Sequence, residues 1–325
     1  MKTTAVAPSN IAFIKYWGKK DEVLKIPENG SISMNLSNLL TTTTVEFNPD
    51  FKKDLIMINS EKEENEGSRA LKHLDRIRKL TKINFKAKVV SKNNFPTGTG
   101  LSSSASGFAA LTLAASKAAG LNLSEKELSI LARQGSGSAC RSIPDGFVEW
   151  LDGNSNETSY AVSIFPPDYW DIADVVAIVS ENKKEIPTTE GQKLAKSSPF
   201  LPVRLERIKE KIRLIKKYMQ EKNFPAFGEL LEQEALELHA IMLTSTPPLI
   251  YWLPETLRVM HSVRKWREDG LQVYFTINTG QDIHLICRKK DAGEVVKKAK
   301  EISDVQKTII NYPSKGAQTI SDNLF

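Results

Sequence analysis

Cysteine is nearly absent: Cys140 and Cys287 are the only two in 325 residues. A secreted disulfide scaffold carries more, so a reducing cytoplasm is the expected location. No apolar run approaches the ~20 residues that cross a bilayer. The opening stretch MKTTAVAPSNIAFIKYWGKK lacks the apolar core of a signal peptide. There is no Arg/Gly-rich tail, zinc-finger spacing or basic zipper, so the net charge of +6 points to small phosphorylated anions rather than to nucleic acid. Histidine is scarce as well. His73, His239, His261 and His284 show no metal-ligand spacing and read as structural residues.

What remains is ordinary globular composition, 40% hydrophobic and 26% charged. The length suits one large domain or two closely packed ones, with a boundary at 180–190. Thr42–Phe47 and Phe85–Val90 read as strands, and Ser68–Leu80 as the helix between them. Ser103–Ala119, rich in alanine and leucine, reads as a buried helix. Ser124-Glu125-Lys126-Glu127 is a capping-box pattern that opens a helix to Arg133. Further on, apolar residues step by three and four from Leu201 to Met219, Phe227 to Leu243 and Leu257 to Trp266. Strands Val273–Ile277 and Ile283–Cys287 and a helix Ala292–Ile302 follow. Helices on one face of a sheet make the class α+β.

Three motifs carry chemistry. In Pro96–Gly107, two glycines and a proline precede Ser102, Ser103, Ser104 and Ser106 at the start of an apolar helix. The first N–H groups of a helix are unpaired and sit at its positive end, so they hold anions. A cap needs one serine, not four. The run therefore reads as a phosphate loop, though not a Walker A, since no Gly-Lys-[Ser/Thr] follows. Gly135–Ser142 places Arg141 among small residues and hydroxyls. It is either a flexible turn or a grip for a planar anion. Asn10–Lys20 punctuates an aromatic stretch with lysines. Read as a strand, it puts Lys15, Trp17 and Lys19 on one face, as an edge strand with snorkelling lysines would.

Taken in order, Ala7–Ala12, Ile14–Lys19, Pro27–Ser33, the serine-rich loop and Gly135–Ser142 resemble the diphosphomevalonate decarboxylases of the GHMP kinase superfamily. The likeness continues through Glu157–Ala161, Leu238–Ala240 and Tyr274–Gly280. It implies a GHMP kinase fold: an N-terminal domain, 1–185, with a left-handed βαβ crossover, and a ferredoxin-like C-terminal domain, 186–325. It implies ATP and Mg²⁺ as cofactors and mevalonate 5-diphosphate as substrate, decarboxylated to isopentenyl diphosphate in the mevalonate pathway. By the family pattern Ser91, Gly100, Ser102, Ser103 and Ser104 hold the nucleotide. Tyr16, Lys19, Thr188 and Thr189 hold the 5-diphosphate, while Ser136 and Ser138 line the substrate. Arg141 grips the carboxylate, and Lys15 sits by the reacting hydroxyl. No transition metal, nucleic acid or membrane partner is implied, and a homodimer is the expected assembly.

The family's catalytic aspartate falls where this chain has Asn278. An amide cannot accept a proton as a general base, though it can orient a hydroxyl. Asn278 is then either an introduced substitution or a natural departure. A natural departure fits a loose transition state that needs little proton removal. It also fits a phosphomevalonate decarboxylase or mevalonate 3-kinase, or a silent nucleotide-binding relative. Asp145 and Asp282 are substitute acids close in sequence, with Pro144-Asp145-Gly146 also reading as a turn.

Overall fold

The computed structural model describes residues 1–63, 65 and 67–325. Its strands, in chain order, are β1 Lys2–Ile14, β2 Lys19–Asp21, β3 Ile26–Pro27, β4 Ser31–Asn48, β5 Leu55–Ile58, β6 Glu61–Lys62, β7 Lys86–Asn93, β8 Phe147–Leu151, β9 Tyr160–Phe165, β10 Ile172–Ile178, β11 Val273–Thr276, β12 Ile283–Arg288, β13 Lys307–Asn311 and β14 Gln318–Ile320. The helices are α1 Arg69–Thr81, α2 Ser103–Ala118, α3 Glu125–Gly135, α4 Thr188–Lys193, α5 Leu201–Gln220, α6 Phe224–Leu243, α7 Pro254–Glu268 and α8 Ala292–Lys300. Among the described residues no helix is long and apolar enough to cross a membrane.

The local signals work as their chemistry requires. Ser68 caps α1 by accepting the Leu71 N–H, and Ser124 and Glu127 close both halves of the capping box on α3. The expected strand Thr42–Phe47 is the far end of the much longer β4, which pairs antiparallel with β1, β7 and β8. β5 runs parallel to β7, with α1 between them in sequence. Helix α2 carries Ala109, Ala110, Ala114 and Ala115 fully buried, so small side chains let it lie close on its neighbours.

A second sheet of four antiparallel strands is ordered β11-β12-β10-β13, the ferredoxin-like arrangement. Its strand β10 falls before residue 185 in the chain. β14 returns to pair with β1, so the chain's last strand belongs to the first sheet. Between the sheets, α5 and α6 bury Ile208, Ile215, Phe224, Phe227 and Leu231 against Ile11, Phe13, Val176 and Ile178. One core thus ties the two halves together at about 25 cal/mol per Å² of apolar surface removed from water. It also holds the end of β1, where the site begins.

Candidate active site

β1 stops at Ile14, not Lys19. The stretch Asn10–Lys20, read as one strand, is instead broken by a loop at residues 15–18 before β2 begins at Lys19, because Trp17 turns into the apolar cluster of Leu201, Leu238 and Met242, and Gly18 takes φ +83°. Glycine adopts that left-handed backbone at little cost. The turn brings Lys15, Tyr16 and Lys19 onto one wall of a ≈ 240 Å³ cavity. The lining of the cavity carries six cations, Lys15, Lys19, Lys25, Arg69, Arg141 and Lys184, and among the described residues no aspartate or glutamate. A cavity so charged stands ready for a polyanion.

The serine loop forms the second wall. Ser102 sits at the N-cap of α2 with φ +58°, and its side chain makes no capping bond. The helix N-terminus is therefore left without a side-chain cap, as anion binding requires. Ser106 is different: it is buried against Thr41 and Ser103 and serves the packing. Gly100, Ser102, Ser103 and Ser104 all line the cavity. Ser91 does not. It bonds Thr43 (2.9 Å) and lines an adjoining ≈ 190 Å³ cleft, apolar through Ile56, Val89, Phe108 and Leu111, which shares Ser103 and Ser104 with the first cavity.

Gly135–Ser142 is regular structure: Gly135 ends α3 and a 3-10 turn follows. Residues Gly137–Ser142 form a 3-10 turn that buries Arg141. Its Nη1 donates to Ser31 Oγ (2.6 Å) and Nη2 to Asn10 Oδ1 (3.0 Å), while Nε has no partner among the described residues. A register shift in β1 between Pro8 and Asn10 sets Asn10 there. Ser136 and Ser138 stand beside it on the cavity wall.

Asn278 lies at the junction of the walls. Its Oδ1 accepts from Lys15 Nζ (3.2 Å), and its Nδ2 donates to Ser102 Oγ (3.1 Å). Burial pushes the Lys15 pKa well below the ordinary lysine value, opposed by Glu234 and deepened by Arg141 and Arg204. His239, read from sequence as structural, holds this junction: its Nε2 donates to the Asn278 carbonyl (3.0 Å) while its ring stacks on Trp252. Burial pushes its pKa down to about 3, so it acts as a neutral donor.

Neither substitute acid reaches the cavity. Asp145 is a turn residue whose Oδ1 accepts the Gly316 N–H (2.7 Å). Asp282 turns away and accepts the Val179 N–H (3.0 Å), and burial pushes its carboxyl up to about 6.

Three of the six cations were missed in sequence. Lys25 and Arg69 both donate to the Gly135 carbonyl. Lys184 donates to Thr188 Oγ1 (2.6 Å) and to the Thr279 carbonyl, beside Thr189 on the wall. Each is an ordinary surface residue by composition, and only the tertiary fold gathers them.

The Asn278 loop rests on the phosphate loop through two glycines. A Cβ on Gly280 would lie 2.1 Å from the Thr99 carbonyl oxygen and 2.5 Å from Gly100 Cα. Gly280→Ala must therefore push the loops apart. We expect a melting temperature lowered by a few degrees from that clash; an unchanged melting temperature in thermal denaturation would contradict the contact.

Two family models match the chain: the diphosphomevalonate decarboxylase-like N-terminal domain over residues 7–161, and the mevalonate 5-diphosphate decarboxylase C-terminal domain over 174–323. The diphosphomevalonate decarboxylase of Candida albicans is 37% identical over 295 residues, 85% of this chain and 82% of that protein. The human diphosphomevalonate decarboxylase is 35% identical over 316 residues, 90% of this chain and 78% of that one. Among solved structures, mevalonate diphosphate decarboxylase from Staphylococcus aureus superposes with a TM-score of 0.93 at 38% identity, covering 98% of each chain. A complex of MDDEF with MVAPP, AMPPCP and magnesium superposes with a TM-score of 0.93 at 34% identity, covering 99% of each.

Proposed function

The chain belongs to the diphosphomevalonate decarboxylase family, and we propose that it couples ATP hydrolysis to decarboxylation of mevalonate 5-diphosphate, giving isopentenyl diphosphate, ADP and phosphate. One observation supports this most directly. The uncapped start of α2 and six cations face one cavity that an apolar cleft extends. A ligand with an apolar ring at one end and phosphates at the other fits across the two, sharing Ser103 and Ser104. That is the shape of ATP.

The roles follow from position. Tyr16, Lys19, Lys25 and Arg69 take the 5-diphosphate, with Ser136 and Ser138 along the substrate and Thr188 and Thr189 beyond. Arg141 takes the carboxylate in a two-pronged bond. Lys15 supplies positive charge to the phosphoryl group as it moves to the 3-hydroxyl, and Asn278 orients that hydroxyl. The C–O bond to the new phosphate then breaks. The electron pair of the C–CO₂⁻ bond forms the alkene, and CO₂ leaves. Among the described residues no group of three acidic, histidine or cysteine side chains could hold a metal ion. Mg²⁺ would be carried on the nucleotide phosphates, where the hydroxyls of Ser102, Ser103 and Ser104 could help to hold it, and when bound it would neutralise phosphate charge. The family resemblance supports a cytoplasmic location and a homodimer as part of the same reading.

An oxygen-18 label tests the phosphorylated intermediate. With ¹⁸O in the 3-hydroxyl, the label must appear in inorganic phosphate. Label-free phosphate, with CO₂ formed, would exclude phosphorylation of that hydroxyl.

Binding should also depend on pH. Burial, with Arg69, Arg76 and Lys19 nearby, pushes Lys25 down to about 7. A bound diphosphate favours the ammonium and raises it again. Below pH 7 Lys25 is already charged, so affinity is flat; above it, binding must take up a proton. The Kd for mevalonate 5-diphosphate should then rise by up to ~tenfold per pH unit. Calorimetric titrations giving a constant Kd from pH 6 to 9 would contradict this assignment.

A further inference from the structure

One layer behind the cavity wall lies the most deeply buried ion pair of the site, Arg204 on α5 and Glu234 on α6, with side chains 2% and 0% exposed. The guanidinium grips the carboxylate twice, Nη1 to Oε1 (2.9 Å) and Nη2 to Oε2 (2.8 Å). The pair also grips the peptide of Lys15. Glu234 Oε2 accepts the Lys15 N–H (3.1 Å), and Arg204 Nη2 donates to the Lys15 carbonyl (2.8 Å). Asn29 Nδ2 adds a second donor to that carbonyl (2.9 Å). Lys15 is the first residue past β1, where the sheet no longer supplies backbone partners. Two helices of the second half of the chain thus fix the backbone of a residue in the first.

Among the described residues the Lys15 ammonium bonds only neutral acceptors, Ala12 O (2.6 Å) and Asn278 Oδ1 (3.2 Å). The charged groups around it come from four elements: Glu234 on α6, Arg204 on α5, Arg141 in the 3-10 turn and Asp174 on β10. His239 on α6 is close and neutral. With an uncharged amide at 278, negative charge must come from farther off.

We propose that Arg204 and Glu234 are positioning residues for phosphoryl transfer: together they clamp the Lys15 peptide from both its N–H and its carbonyl, and so hold the Lys15 ammonium beside Asn278. The proposal rests on the reaction given above, in which Lys15 acts on the phosphoryl group. Burial drives the Lys15 pKa down, and Glu234 is the strongest opposing influence; Arg204 lowers it further. The two partners therefore have opposite electrostatic signs and the same geometric role.

The test compares Glu234→Gln, Arg204→Gln and Lys211→Met with the parent chain, measuring kcat and both KM values from pH 6 to 10. Lys211 Nζ also bonds Glu234 Oε1 (2.9 Å) and Glu237 but does not touch Lys15, so its loss reports the stability of the cluster alone. Glu234→Gln should lower kcat about thirtyfold with KM values within threefold. It should shift the alkaline limb of kcat down by about half a pH unit or more. Arg204→Gln should also lower kcat, yet move the limb up. Lys211→Met should cost melting temperature without moving the limb. Limbs that coincide in all four proteins would overturn the proposal, as would a Lys211→Met shift equal to that of Glu234→Gln. Nitrogen-15 NMR of the Lys15 ammonium, assigned with Lys15→Met, reads the same shifts without turnover. It separates failure of the clamp from failure of the reaction: unshifted Lys15 titration in Glu234→Gln sinks the clamp whatever the enzyme does. Should Glu234→Gln not fold, the upward shift in Arg204→Gln decides alone.

Discussion

Arg141→Gln is expected to lower kcat/KM for mevalonate 5-diphosphate about a thousandfold, with ATP affinity nearly unchanged. Arg141 is 3% exposed and held on two sides by Ser31 and Asn10, beneath the rings of Tyr16 and Trp150. Burying a cation in this way is costly unless a ligand completes its partners, and its Nε has none among the described residues. A charge-assisted grip on the carboxylate, lost from a dry site, costs ~4 kcal/mol, or about three powers of ten in rate. Arg141→Lys should fail nearly as badly. It keeps the charge, but a single ammonium cannot satisfy Ser31, Asn10 and a flat carboxylate together. CO₂ release measured against ADP formation checks both variants. A loss of less than tenfold in Arg141→Gln would place the carboxylate elsewhere.

Asn278→Asp should raise kcat roughly a hundredfold, the low end of what a positioned general base contributes. The low end applies because a loose phosphoryl transition state asks for little proton removal early on. The side chain already lies 3.2 Å from Lys15 Nζ and 3.1 Å from Ser102 Oγ, so a carboxylate there needs no new geometry. It would also pair with a buried ammonium that now bonds no acid among the described residues, raising the Lys15 pKa. The alkaline limb of kcat should move up in the same variant. Asn278→Ala, which keeps neither hydrogen bond, should lose activity instead. A rate unchanged in Asn278→Asp but lost in Asn278→Ala would mean that the side chain only orients its neighbours.

Local chemistry made much of this legible. The serine run reads as an anion site because one cap needs one serine, not four; in the fold Ser106 is spent on packing, while Ser102 makes no side-chain capping bond. Ser68 and Ser124 announce helices that form where they announce them. What could not be read depends on distant contacts. Trp17 ends the strand early because its ring fits a pocket built from residues some 180–225 positions away. β10 is buried along its whole length and so lacks the alternation that marks a half-exposed strand. β14 pairs with β1 across nearly the full chain. Asp282 lies four residues from Asn278 yet bonds Val179 on the other side, which spacing alone does not reveal. Lys25, Arg69 and Lys184 carry no local signature, and the clamp of Arg204 and Glu234 on Lys15 joins positions roughly 190 and 220 residues apart.

The most direct measurement incubates the chain with ATP-Mg²⁺ and, in parallel, mevalonate, its 5-phosphate or its 5-diphosphate, and follows ADP and CO₂ separately. Equal ADP and CO₂ from the 5-diphosphate, with far less from the others, is the expected result. ADP without CO₂, or turnover confined to mevalonate or its 5-phosphate, would contradict it.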